Sequence, residues 1–175
     1  TLSFAQNADT TITAPELSTV SNIEVIDVTN TLDNKQMTLT LSQAFMDNNN
    51  GTITIDGNED NHADADHNIN ASTVSTGSVI FQMEGATTSK NDTFTGGGGD
   101  DKVIVGVNLQ TAASTVELEN GDILNGNGGT DTIALNADAA VTATIDFDDV
   151  SDVEVIKIVT VDGVTGGTST IVIDD

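Results

Sequence analysis

The chain has no cysteine, so neither disulfides nor thiol chemistry can contribute to it. It has no arginine and four lysines against 28 acidic residues, for a formal net charge of −24. A surface of that sign repels phosphate backbones and anionic lipid, which argues against nucleic-acid and membrane partners. Tryptophan and tyrosine are absent and aromatics make up only 3% of residues, so sugar-stacking platforms have five phenylalanines to draw on. No apolar run approaches the ~18 residues of a membrane span. No G-x-S-x-G or H-E-x-x-H motif occurs, and basic residues that would neutralise a uronate substrate are nearly missing. The expectation is a protein that is not an enzyme.

What remains is threonine, valine, isoleucine, asparagine, aspartate and glycine, a composition for short strands joined by polar turns. At 175 residues there is room for one domain or two small ones. The acidity itself poses a problem, because self-repulsion opposes compaction unless cations offset it. The stretch from Asn91 to Gly106 suggests where they bind. Gly96-Gly97-x-Gly99-x-Asp101-x-Val103 fits G-G-x-G-x-D-x-U, with U a large apolar residue. That pattern marks the calcium-binding nonapeptide of parallel β-helices. Glycines permit a tight turn with positive φ and let carbonyls approach an ion. The aspartate adds a charged oxygen, and calcium takes 6–8 oxygen ligands.

A second copy follows. Asp122-Ile123-Leu124 and Asp131-Thr132-Ile133 stand nine residues apart, as do Asp92-Thr93-Phe94 and Asp101-Lys102-Val103. Gly126, Gly128 and Gly129 lie between, with Asn127 where the pattern wants glycine; asparagine also tolerates left-handed backbone. The two pairs are thirty residues apart at both ends, which reads as one coil stacked on the next, with Val107 to Glu119 as an excursion. The loop ending at Asp101 is then expected against the loop ending at Asp131, with calcium between them. The loop ending at Asp92 is expected against Glu119-Asn120-Gly121-Asp122. Candidate metal ligands are Asn91, Asp92, Gly96, Gly98, Asp101, Asn120, Asp122, Gly126, Gly128 and Asp131. The competing reading is two ordinary Gly/Asp turns in a β protein.

A longer repeat surrounds this one. Thr1 to Phe4 matches Thr132 to Leu135, Asn7 to Thr13 matches Asn136 to Thr142, and Val20 to Val28 matches Val150 to Ile158, all offset by about 130 residues. Residues 1–131 are read as one repeat unit and 132–175 as the start of a second, in a continuous solenoid cut from a longer polypeptide. Alternation marks strands at Ile23 to Val28, Met37 to Leu41, Thr52 to Ile55, Ser78 to Met83 and Thr142 to Phe147. Ser169 to Asp174 echoes Gly51 to Asp56. Ser42 to Met46 is a helical turn with Ser42 in the N-cap position, ended by the breaker Asp47 to Gly51. Glu24 and Glu154, at matching places, are read as outward-facing strand residues, and Asp148, Asp149 and Asp152 as surface. Asp56 to Asn68 holds both histidines. It has three readings: a further calcium loop through Asp60, Asp64 and Asp66, a transition-metal site through His62 and His67, or a solvated excursion.

The two nonapeptide pairs resemble the RTX calcium repeats of secreted bacterial proteins. The text around them, with VSNIEVIDV and VSDVEVIKI, resembles bacterial S-layer proteins and giant RTX surface adhesins. The resemblance implies an all-β fold, a right-handed parallel β-helix or β-roll-like solenoid with calcium-binding Gly/Asp turns. Each cluster has only two nonapeptides, which favours calcium-clipped coils within a larger β layer over a continuous β-roll. It further implies an extracellular, cell-surface structural module of a surface layer, filament or adhesin that folds and assembles on calcium, with other copies of itself as partners. The alternative is a ligand- or polysaccharide-binding accessory module of a secreted RTX protein.

Overall fold

A computed structural model describes residues 1–4, 8–28, 35–57, 66–83, 91–105, 116–118, 121–137, 142–160 and 170–174. The chain is a parallel β-solenoid. Seven strands form the longest sheet, in the order Leu2–Ser3, Val25–Asp27, Thr52–Asp56, Ser78–Gln82, Lys102–Val105, Thr132–Ala137 and Val155–Thr160. The order in space is the order in sequence, so each pass of the chain adds one strand beside the last. A six-stranded sheet runs Thr10–Ile12, Gln36–Thr40, Asp66–Asn70, Thr93–Thr95, Ile123–Asn125 and Val150–Ser151. A third sheet holds Val116–Leu118, Thr142–Asp146 and Thr170–Asp174. Val116–Leu118 belongs to the segment read as an excursion; it is a stacked strand, paired with Thr142–Asp146 in parallel.

Among the described residues every strand pairing is parallel and in register, so like positions stack into columns. One inward column is Leu2, Ile26, Ile55, Phe81, Val103, Ile133 and Ile156. From Ile26 to Ile133 its members are buried. The facing column is Ile12, Leu39, Ile69, Phe94, Leu124 and Val150. Alternation with period two puts these side chains on one face and threonine, asparagine and aspartate on the other. The two columns meet where Phe81 and Phe94 stack at 6.0 Å between centroids with a 14° tilt. At the end of the stack the column is open, and Ile156 is 52% exposed.

The pair Leu2–Ile26 and the pair Ile133–Ile156 occupy corresponding places in the long sheet. Asn22 and Asp152, matched by the same sequence offset, both take left-handed backbone at φ 59 and φ 52. The echo between Ser169–Asp174 and Gly51–Asp56 is not positional. Thr170–Asp174 lies in the three-stranded sheet, whereas Thr52–Asp56 lies in the seven-stranded one.

The helical turn is present as Gln43–Asn48, and the Ser42 side chain accepts from Phe45 N. A second short helix, Ala14–Leu17, follows Thr13, whose backbone N–H donates to the Glu16 carboxylate at 2.6 Å; the spacing Thr13-x-x-Glu16 is the capping-box signature. Asn49, within the breaker, joins three parts of the fold. Its Oδ1 accepts from Ile23 N at 2.9 Å, and its Nδ2 donates to Val20 O at 3.1 Å and Phe45 O at 2.7 Å. At 1% exposure no water can replace them. Asn49→Ala is expected to lower stability by about 2–4 kcal/mol, from buried groups left unpaired, as measured by urea unfolding.

Candidate metal centre

The register that stacks apolar columns also stacks acids. Asp101 immediately precedes the strand Lys102–Val105, and Asp131 immediately precedes Thr132–Ala137, so both enter the interior at the same level. Both are 3% exposed, and Asp92 and Asp122 are 6% exposed. The expected stacking of turn on turn is present. Asp101 N donates to Asp131 Oδ1 at 2.6 Å, Gly128 N to Gly97 O at 3.0 Å and Thr130 N to Asp100 Oδ1 at 2.9 Å. Asp92 N donates to Asp122 Oδ1 at 2.8 Å. Asn91 Oδ1 lies against Gly121, whose φ is 122. Asn120 and Glu119 lie outside the described residues.

Two ladders of carboxylates result. In the first, Val79 N donates to Asp101 Oδ1 at 2.7 Å, Asp101 N to Asp131 Oδ1, and Asp131 N to Glu154 Oε2 at 2.8 Å. In the second, His67 N donates to Asp92 Oδ1 at 2.7 Å and Asp92 N to Asp122 Oδ1. Each acid therefore takes the amide of the coil before it, at a level where the strand ladder has not yet begun. A carboxylate serves because it accepts strongly and carries no competing donor.

The glycines are needed for space more than for backbone angle. None of Gly96 to Gly99 is in the left-handed region; in the second turn Asn127 at φ 72 and Gly129 at φ 124 are. The positive φ expected from the sequence thus holds for the second turn alone. A Cβ at Gly96 would overlap Asp101 Oδ2 and Gly126 O; one at Gly126 would overlap Asp131 Oδ2 and Asp152 O. Gly98 N donates to Val74 O at 2.8 Å, and a Cβ there would come within 2.7 Å of Ser75 O. Gly128 is roomy, with nothing closer than 3.8 Å.

Burial pushes the Asp101 carboxyl up to about 6, against the N–H groups of Val79 and Gly97 that favour the anion; the charges of Asp131 and Asp100 add to the rise. Asp131 is raised as well, by burial first, opposed by the Asp101 amide and assisted by Glu154, Asp100 and Asp152. Beneath these two carboxylates lies a cavity of about 10 Å³ with apolar walls from Phe94, Leu124 and Val153, room for roughly one water. Among the described residues no three acidic or histidine side chains converge as a metal cluster. An ion at these turns would have to draw on backbone carbonyls too, such as Gly126 O and Asp152 O.

Two readings of the sequence change in detail. Asp66–Asn70 is a strand, and His67 is fully buried rather than part of a solvated loop. Its Nδ1 lies 3.3 Å from Asp92 Oδ1 and its ring meets Phe81 edge-on at 6.0 Å. His62, Asp60 and Asp64 lie outside the described residues. Glu154 is exposed at its strand start, yet its carboxylate returns to Asp131. Nothing in the sequence marked Glu154 as a partner of a residue 23 positions earlier.

No protein-family model, curated protein or solved structure matches this chain.

Two outcomes follow from the geometry. Gly99→Ala drives a methyl into the Gly77 carbonyl, whereas Gly128→Ala makes only ordinary contact, at 3.8 Å from Gly98 Cα; the first is expected to cost about 2–3 kcal/mol and the second under ~1 kcal/mol, by chemical denaturation. Asp101 has a folded-state pKa near 6 against an ordinary 3.8. Its neutral form therefore stabilises the metal-free fold fully below the lower value, and that stability is lost as pH rises through the higher one. In the presence of a chelator, the melting temperature is expected to fall between about pH 4 and 6.5, and Asp101→Asn to flatten part of that fall.

Proposed function

We propose that the chain is an extracellular structural module of a bacterial surface-layer, filament or adhesin protein, which folds and assembles on calcium. The observation that carries this reading is the stacking of buried acids inside the solenoid. Asp101 over Asp131, and Asp92 over Asp122, place like charges in adjacent coils. Such a column costs free energy that a proton or a hard cation relieves. At neutral pH the cation is the better match, because it binds the ionised carboxylates and draws on carbonyl oxygens beside them. Asp101, Asp131, Gly126 O and Asp152 O would supply oxygens on one side of the solenoid. Asp92 and Asp122 would supply them on the other. Bound calcium would neutralise the column and join coil to coil.

The module character rests on the repeat and on the open column at Ile156. Ile156, which continues the inward column through Ile133, is 52% exposed, an apolar face that a further coil in the same register would cover. The polysaccharide-binding alternative has less behind it: all five phenylalanines are buried or half-buried, which leaves no flat exposed ring for a sugar.

The test is thermal melting and far-ultraviolet circular dichroism of the full chain in calcium and after exhaustive chelation. Calcium is expected to raise the melting temperature and to reverse the sign of its pH dependence, since it binds the deprotonated carboxylates. Identical melts with and without the metal would overturn the reading.

A further inference from the structure

The outer face of the six-stranded sheet carries two columns without a charge. One is Thr11, Thr38, Asn68, Thr93 and Ile123. The other is Thr40, Asn70, Thr95, Asn125 and Ser151. In a chain of net charge −24, solubility does not explain such a face, because the acids elsewhere already supply it. The acids of this sheet stand at the strand starts, one step before the two columns, and hold backbone there. Asp9 Oδ1 accepts from Gln36 N at 3.2 Å and Asp66 Oδ1 from Asn91 N at 3.3 Å. The outer face of the seven-stranded sheet differs, with Asp27, Asp56, Lys102 and Lys157 in its columns.

Register makes the neutral array regular in two directions. Neighbours in a column stand roughly 4.8 Å apart, and alternate residues along a strand about 6.6 Å apart. Thr38-x-Thr40, Asn68-x-Asn70 and Thr93-x-Thr95 thus repeat one hydrogen-bonding unit from coil to coil. The array is also stiff. Threonine is β-branched and restricted at χ1, while Asn70 Oδ1 accepts from Ser72 N at 2.9 Å and Asn125 Oδ1 from Asn127 N at 2.8 Å. Groups already ordered lose little entropy on binding. Among the described residues nothing hydrogen-bonds the side chains of Thr38, Thr40, Asn68, Thr93 or Thr95, so their donors and acceptors are open to a partner.

We propose that this face binds ice. Ice carries no charge, and its surface repeats oxygen positions at steps close to both spacings of the array. Hydroxyls and amides bond to those oxygens. The threonine methyls, and Ile123 at 46% exposure, order the water beside them as apolar groups do. A crystal surface meets successive coils at once, so contacts that are weak singly add along the columns. A charged partner leaves these neutral groups without a match, and a polysaccharide finds no exposed ring to stack on. This activity goes beyond the structural module and does not rest on bound calcium.

The test is nanolitre osmometry of the full chain in calcium buffer, with the growing crystal watched under a microscope. The unaltered chain is expected to shape ice and to open a gap between its melting and freezing points. Thr93→Lys and Thr40→Lys each set a long charged side chain within the array. Both are expected to lose the gap yet unfold at the unaltered temperature, since these positions face outward. Thr54→Lys, on the outer face of the seven-stranded sheet, is expected to keep the gap. The proposal falls if the unaltered chain neither shapes ice nor opens a gap, if both array variants keep it, or if Thr54→Lys loses it too. Should one array variant not fold, the other decides. If the unaltered chain shows no gap but forms dimers that Thr93→Lys separates, the face is a contact between copies and the assignment to ice is wrong. None of these results bears on the calcium module, which is read from unfolding with and without the metal.

Discussion

Parallel strands in register, roughly 4.8 Å apart, are the constraint on which everything else here depends. A solenoid built this way repeats each side chain's neighbourhood from coil to coil. Apolar residues gain from it, as the run from Ile26 through Phe81 to Ile133 does. Acids pay for it, because each carboxylate meets another one coil away. Among the described residues the buried acids stand at the two levels where strands begin, beside Val79 and beside His67, and not along the apolar columns themselves.

That placement has a local benefit. At a strand's start the ladder has not yet closed, so an amide from the neighbouring coil needs an acceptor. Asp101, Asp131 and Glu154 provide one after another, as do Asp92 and Asp122. The same residues that bridge the coils therefore raise the electrostatic cost of the stack. Calcium is proposed as the partner that removes this cost while leaving the hydrogen bonds in place. Rigidity and metal dependence would then come from one set of side chains, which suits a surface structure outside the cell better than it suits a site that must turn over.

Much of this was legible in the text. The thirty-residue spacing of the two aspartate pairs correctly placed Asp101 against Asp131 and Asp92 against Asp122. Alternation located the strands at Met37, Thr52 and Ser78, because period two is fixed by the pleat wherever one face is buried. Other features were not legible. His67 sits among polar residues in sequence and yet points inward, since Met37 and Ile69 set the register of its strand and leave it no other face. Asn49 read as a breaker, but its three bonds reach residues up to 29 positions away.

By itself the sequence determined the class of fold and the pairing of its turns, because strand period, glycine spacing and repeat length are local and arithmetic. Tertiary structure alone decided which groups meet across the coils. That Glu154 reaches the Asp131 amide, and that Thr38, Asn68 and Thr93 line up on one face, depends on the register between coils. Those are contacts between residues distant in the chain, made close only when one coil is laid on the next.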